Sequence, residues 1–179
     1  FRGSEDNVLA RFQQASQAYP SDHIVRITGD SPFVDVGVCD LLLQTYFEKQ
    51  VDYAFLSEQF AEGVDCEVFK TSVLSSLDTA ALRESEREHV TLHFYENKLN
   101  QFSTYEMQNT TDDSSYRFTL DTPEDWQVIK ELARFTNDTV NINYQNIKNI
   151  LDAYPHIKQI NSQVIRNEGL AISLQNEQH

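Results

Sequence analysis

The chain has 179 residues, 40% apolar and 23% charged, with a formal net charge of −14. That length suits one domain over residues 1–179 with a real core, and the composition excludes a disordered chain. The acidity argues against an extended nucleic-acid surface, which needs clustered Lys and Arg.

In chain order, Ser4-Glu5-Asp6 reads as a helix start with acidic first-turn residues, the helix running to about Ala18. Tyr19-Pro20 breaks it. His23-Ile24-Val25-Arg26-Ile27-Thr28 reads as a buried strand ending in the turn Gly29-Asp30-Ser31-Pro32. Asp35 caps a second helix, and Val51-Asp52-Tyr53-Ala54-Phe55 is a short strand. Val64-Asp65-Cys66-Glu67-Val68-Phe69 alternates like a half-buried strand, with Asp65 and Glu67 on one face. Helices are expected near 71–77 and 82–97, then strands at 105–108 and 116–120 around a turn-rich stretch. From Pro123 the pattern is helical to about Phe135, with Trp126, Ile129, Leu132 and Ala133 on one face. A helix near 144–153 precedes Pro155, and the tail from Asn161 is polar with few anchors. Helices alternating with strands predict an α/β chain with a mixed, mostly parallel sheet.

No apolar run reaches the length of a membrane span, and no signal peptide opens the chain. Two cysteines, Cys39 and Cys66, form neither a disulfide framework nor a metal spacing, so reduced thiols in a cytoplasmic protein are expected. Asn109-Thr110-Thr111 and Asn137-Asp138-Thr139 match glycosylation sequons, which without a secretory signal are read as chance.

Two acidic corners carry the chemistry. Arg26-Ile27-Thr28-Gly29-Asp30-Ser31-Pro32 and Phe118-Thr119-Leu120-Asp121-Thr122-Pro123-Glu124-Asp125 each follow an apolar run, present an Asp and break at a Pro. Carboxyl ends of strands are where open α/β sheets bind ligands, and one or two carboxylates hold Mg²⁺ beside phosphates. A structural reading stands beside this one. Thr122 as N-cap, Pro123 at N1 and Asp125 at N3 make a helix start that needs no ligand, while Asp121 is not needed for the cap. Gly-Asp-Ser-Pro is also good turn chemistry. Asp65 and Glu67 read either as a solvated strand face or as acceptors for a polyhydroxylated ligand. Glu86, His89 and His93 share a face of the 82–97 helix, so a helix-borne Zn²⁺ site is an alternative, although Val90 occupies the position where a zincin has Glu.

Together with Phe1-Arg2-Gly3-Ser4-Glu5-Asp6-Asn7-Val8-Leu9, Gly63-Val64-Asp65-Cys66-Glu67-Val68-Phe69, Arg87-Glu88-His89-Val90-Thr91 and Arg166-Asn167-Glu168-Gly169, these corners occur in the order found in SpsF-type (spore-coat polysaccharide biosynthesis) cytidylyltransferases. The chain resembles that family, which is similar to the CMP-KDO and acylneuraminate synthetases, over nearly its whole length. The resemblance implies a nucleotide-diphosphosugar transferase (GT-A-like) fold and attack of a sugar or sugar-acid hydroxyl on the α-phosphorus of CTP. It implies Mg²⁺ on Asp30 and Asp121, and a substrate-binding cleft lined by Arg26, Asp65, Glu67, Arg87, Glu88 and His89. Ser31 stands where the family has Cys, and Ala61-Glu62 where it has Pro-Asp. The family's first strand and triphosphate loop have no counterpart ahead of Phe1. That leads to the expectation of a fragment with impaired turnover, or of a non-catalytic binding module. It also predicts an open strand edge at 23–28 and a homodimer that covers it.

Overall fold

In the computed structural model, which describes residues 1–77, 81–135 and 143–177, short polar side chains start several helices. The Asn7 side chain accepts from the N–H of Ala10 at 3.0 Å and opens α1 (Val8–Ala18). The cap is therefore Asn7 rather than Ser4, whose hydroxyl accepts from the N–H of Asn7 three residues earlier. Asp35 opens α2 (Val36–Lys49) as expected, 2.9 Å from the N–H of Val38. Each such cap contributes about 0.5–2 kcal/mol.

Four strands, β1 (His23–Ile27), β2 (Tyr53–Leu56), β3 (Cys66–Lys70) and β4 (Thr104–Met107), form one mixed sheet in the order β1-β3-β2-β4. The α/β class holds. The expected mostly parallel pairing does not: β3 runs antiparallel to both β1 and β2, and only β2 and β4 are parallel. The reason is connection length. Residues 57–65 join β2 to β3, too short a link for a parallel return, which needs a dozen or more. Among the described residues β1 is paired on one side only, with Val25 42% and Ile27 50% exposed.

Helices cover both faces. On one, Leu42 and Tyr46 of α2 pack against Ala54, Cys66, Val68 and Met107. On the other, Leu9 of α1, Leu74 of α3 (Thr71–Ser76) and Phe94 of α5 (Leu92–Glu96) pack against Tyr53 and Phe69. A third group joins α6 (Pro123–Phe135), α7 (Tyr144–Ala153) and α8 (Pro155–Gln159) through Val128, Leu132, Ile147, Leu151 and Ile157, closing on Val64 and Phe118. The buried stripe of α6 is Asp125, Val128, Ile129 and Leu132; Trp126 is 51% exposed, so the stripe lies rotated from the expected one. Burying each of these large apolar side chains contributes about 1.5–3 kcal/mol.

Two expected elements differ. Residues 116–120 form no strand, only an isolated parallel bridge between Glu62 and Arg117, because the extended segment has a hydrogen-bonded neighbour at only a few points. The expected 82–97 helix divides into α4 (Glu84–Glu88) and α5. The break buries Val90 fully and lets the Thr91 hydroxyl donate to Glu67 at 2.8 Å. The last described helix is α9 (Glu168–Asn176), which has no buried residue. Both cysteines are free and buried. No described helix is long and apolar enough to cross a membrane. Asn137-Asp138-Thr139 lies outside the described residues.

Candidate functional site

A cleft of about 510 Å³ opens at the end of the sheet where β1 stops. Its walls come from the two acidic corners, the 57–67 segment, the 89–95 break and residues 165–170. Carboxylates outnumber guanidiniums eight to three in this lining, so an anionic ligand would meet net repulsion there unless a cation accompanied it.

Asp30 and Asp121 meet here. The Asp30 carbonyl accepts the N–H of Leu120 at 2.8 Å and the hydroxyl of Thr119 at 3.1 Å, which ties the end of the first corner to the second. Burial and the neighbouring Asp30 charge raise the Asp121 carboxyl above the ordinary aspartate range. The Asp30 side chain is lightly held, by a 3.4 Å bond from the Ser31 hydroxyl.

The second corner is bound far more tightly. Arg117 donates from Nε and Nη2 to the two oxygens of Asp125, each at 2.8 Å. Its Nη2 also donates to Asp121 Oδ2 at 2.9 Å, and its Nη1 pairs with Glu62. Asp125, with no solvent exposure, further accepts from Asn161 at 2.7 Å and from the N–H groups of Asp121 and Thr122 at 3.1 and 3.0 Å. The Thr122 hydroxyl in turn accepts the N–H of Asp125 at 3.2 Å, completing the expected capping box. Burial opposes ionisation of Asp125, but the bonds from Arg117 and Asn161 outweigh it and hold the carboxyl well below the usual range.

A second cluster forms around Arg26 and Glu67, which face each other across the β1–β3 ladder. Glu67 pairs with Arg26 and also accepts from the Tyr53 and Thr91 hydroxyls. Glu67 is thus occupied in holding Arg26 and has little capacity left for a ligand. Asp65 lines the cleft with one oxygen 3.2 Å from the N–H of Gly63. Burial pushes its carboxyl up, against the pull of Gly63 and Arg166.

His89 lines the cleft as well, its Nε2 3.1 Å from the Ser173 hydroxyl, and burial holds the ring below its ordinary pKa. Arg87 and Glu88 do not line it. Arg87 faces Glu84 at 3.9 Å, and Glu88 accepts from Ser173 at 2.9 Å. The Zn²⁺ alternative fails on the same break: His93 turns to Glu86 at 2.8 Å while His89 turns to α9. The described residues contain no group of three metal-ligating side chains.

Arg117, Glu62, Asp125, Thr91 and Tyr53 escaped sequence reasoning as site residues. The spacing of Arg117 four and eight residues before Asp121 and Asp125 was the one available signal. Glu62 lay beyond it, since its partner is 55 positions away along the chain.

Comparison with known proteins gives the family. A family model described as cytidylyltransferase matches residues 1–166. An uncharacterized protein of Methanocaldococcus jannaschii is 36% identical over 92% of this chain and 67% of its own length. The spore coat polysaccharide biosynthesis protein SpsF of Bacillus subtilis is 31% identical over 87% of this chain and 65% of its own. A solved cytidylyltransferase structure from Leptospira borgpetersenii superposes with a TM-score of 0.82 at 32% identity, covering 89% of this chain and 68% of that one. The chain thus spans about two thirds of the length of each of these relatives. With the match reaching from the first residue through both corners to Arg166, this chain belongs to the cytidylyltransferase family, SpsF type.

Proposed function

We propose that this chain carries the cation- and sugar-binding part of an enzyme that joins CMP from CTP to a sugar or sugar acid for a surface polysaccharide. The polysaccharide part of this reading comes from the name of the Bacillus relative. The observation that carries the reaction is the bond from Leu120 N–H to the Asp30 carbonyl, which draws the two acidic corners to one cleft. Two carboxylates offer hard oxygen donors, which fit a Mg²⁺ ion that takes its other ligands from water and phosphate. When bound, Mg²⁺ would offset charge on the triphosphate and favour in-line displacement.

In that reaction a sugar hydroxyl oxygen bonds to the α-phosphorus, the bond to the bridging oxygen breaks, and pyrophosphate leaves with the electron pair. The hydroxyl proton passes to solvent. At the sugar end, the Asp65 oxygen not held by Gly63 accepts from sugar hydroxyls, Arg26 offers its unpaired donors, and His89 contributes a neutral polar wall.

Calorimetry tests the reading. CTP is expected to bind only with Mg²⁺ present, and binding is expected to vanish in Asp30→Ala and Asp121→Ala. Pyrophosphate release with a panel of sugars then reads turnover. Binding of CTP without Mg²⁺, or undiminished in both variants, overturns the cation site. No CTP binding at all favours a non-catalytic module.

A further inference from the structure

Among the described residues, Arg117 spends its donors on carboxylates. Two go to Asp125, one reaches Glu62, and Nη2 is shared with Asp121 Oδ2. Its side chain is only 10% exposed, whereas that of Asp121 is 47% exposed and would otherwise be free to rotate. The guanidinium is itself clamped. Asp125 is fully buried and tied to Asn161, and Asn161 also donates to the Arg117 carbonyl at 3.2 Å. A planar fork held on two sides has one orientation available.

We propose that Arg117 is a positioning residue for the cation site: clamped by Glu62 and Asp125, it holds Oδ2 of Asp121 and leaves Oδ1 to the cation as a single-oxygen ligand. This rests on the Mg²⁺ reading above. One such oxygen would suit a hard cation that takes its other ligands from water and phosphate. Partners that orient a ligand in this way typically change metal affinity by about 10–100-fold when replaced. Lysine keeps the charge and loses the fork, so Arg117→Lys separates orientation from electrostatics.

The experiment is a Mn²⁺ titration followed by the spectrum of the free ion, with and without CTP, since Mn²⁺ accepts the same oxygen donors as Mg²⁺. Wild type, Arg117→Lys, Asp121→Asn and the double variant form a cycle. Arg117→Lys is expected to weaken Mn²⁺ binding about tenfold in protein that melts cooperatively, and to add nothing in the Asp121→Asn background. A purely structural Arg117 would lower the melting temperature and leave the affinity of the folded protein unchanged. Affinity within twofold of wild type overturns the inference, and so does an equal loss in the Asp121→Asn background. Absence of Mn²⁺ binding by wild type instead removes the cation reading on which it rests. Should Arg117→Lys not fold, Glu62→Gln replaces it in the same cycle, because the Glu62 carboxylate pairs with Arg117, which in turn bonds Asp121.

Discussion

The two acidic corners present the same residue at the same end of the fold and are built in opposite ways. At the first, among the described residues, the Asp30 side chain has one long bond from Ser31 and β1 leading into it is open on one edge. At the second, Asp121 belongs to a network of Arg117, Glu62, Asp125 and Asn161 organised around a fully buried carboxylate. The contrast teaches that one carboxylate is free to adjust to a ligand while the other is set in place before it arrives. The cation proposed above would find both a fixed reference and a partner able to close on it.

The comparison breaks most directly at Asp125. Asp125→Ala leaves Arg117 and Asn161 without their buried acceptor, and a loss of about 3–5 kcal/mol is expected in denaturant melts. A loss below about 1 kcal/mol would mean that the network does not hold the corner. The same contact has a pH signature. The Asp125 carboxyl is depressed in the folded protein, so its contribution is fully present above the unfolded value of about 3.9 and is lost as the pH falls through the depressed folded value. The stability gap between wild type and Asp125→Asn should therefore be flat from neutral pH down to about pH 4 and narrow only below it.

A smaller effect is expected at Gly63, which holds φ at +106° where the 61–65 loop passes the second corner. A Cβ there would lie 2.6 Å from the Thr119 nitrogen and 2.8 Å from the Phe118 carbonyl carbon. Gly63→Ala should cost about 1–3 kcal/mol and displace the 118–121 backbone, weakening Mg²⁺-dependent CTP binding. Unchanged melting and binding would show that the loop yields at no cost.

The smallest effect on stability belongs to the open side of the first corner. Val25 and Ile27 leave an exposed edge of the kind that pairs with another chain, and we propose a homodimer through it. Light scattering should give twice the 20.7 kDa chain mass, and Ile27→Lys should return a monomer with melting changed by no more than about 0.5 kcal/mol. A wild-type monomer would remove the dimer and leave the contrast between the corners intact.

The strand at 23–27, the Asp35 cap, the capping box at Thr122 and Asp125, and the turns that carry Asp30 and Asp121 were legible because each depends on neighbours within a few residues. Local periodicity and turn chemistry act over that range, and the ordered motifs carried the family. Direction of strand pairing was not legible in the same way, because it depends on which strands meet. The helix at 82–97 failed for a related reason: Val90 and Thr91 satisfy packing and a hydrogen bond to β3, and that tertiary demand overrides a helical pattern. Sequence alone thus determined that two aspartates stand at turns, Asp30 after a strand and Asp121 ahead of a helix, in a cytidylyltransferase frame. Only the tertiary structure decided that one is loose and the other locked, since the lock is built from Glu62, Arg117, Asp125 and Asn161, and an ion pair takes its strength from separation in space and burial rather than from distance along the chain.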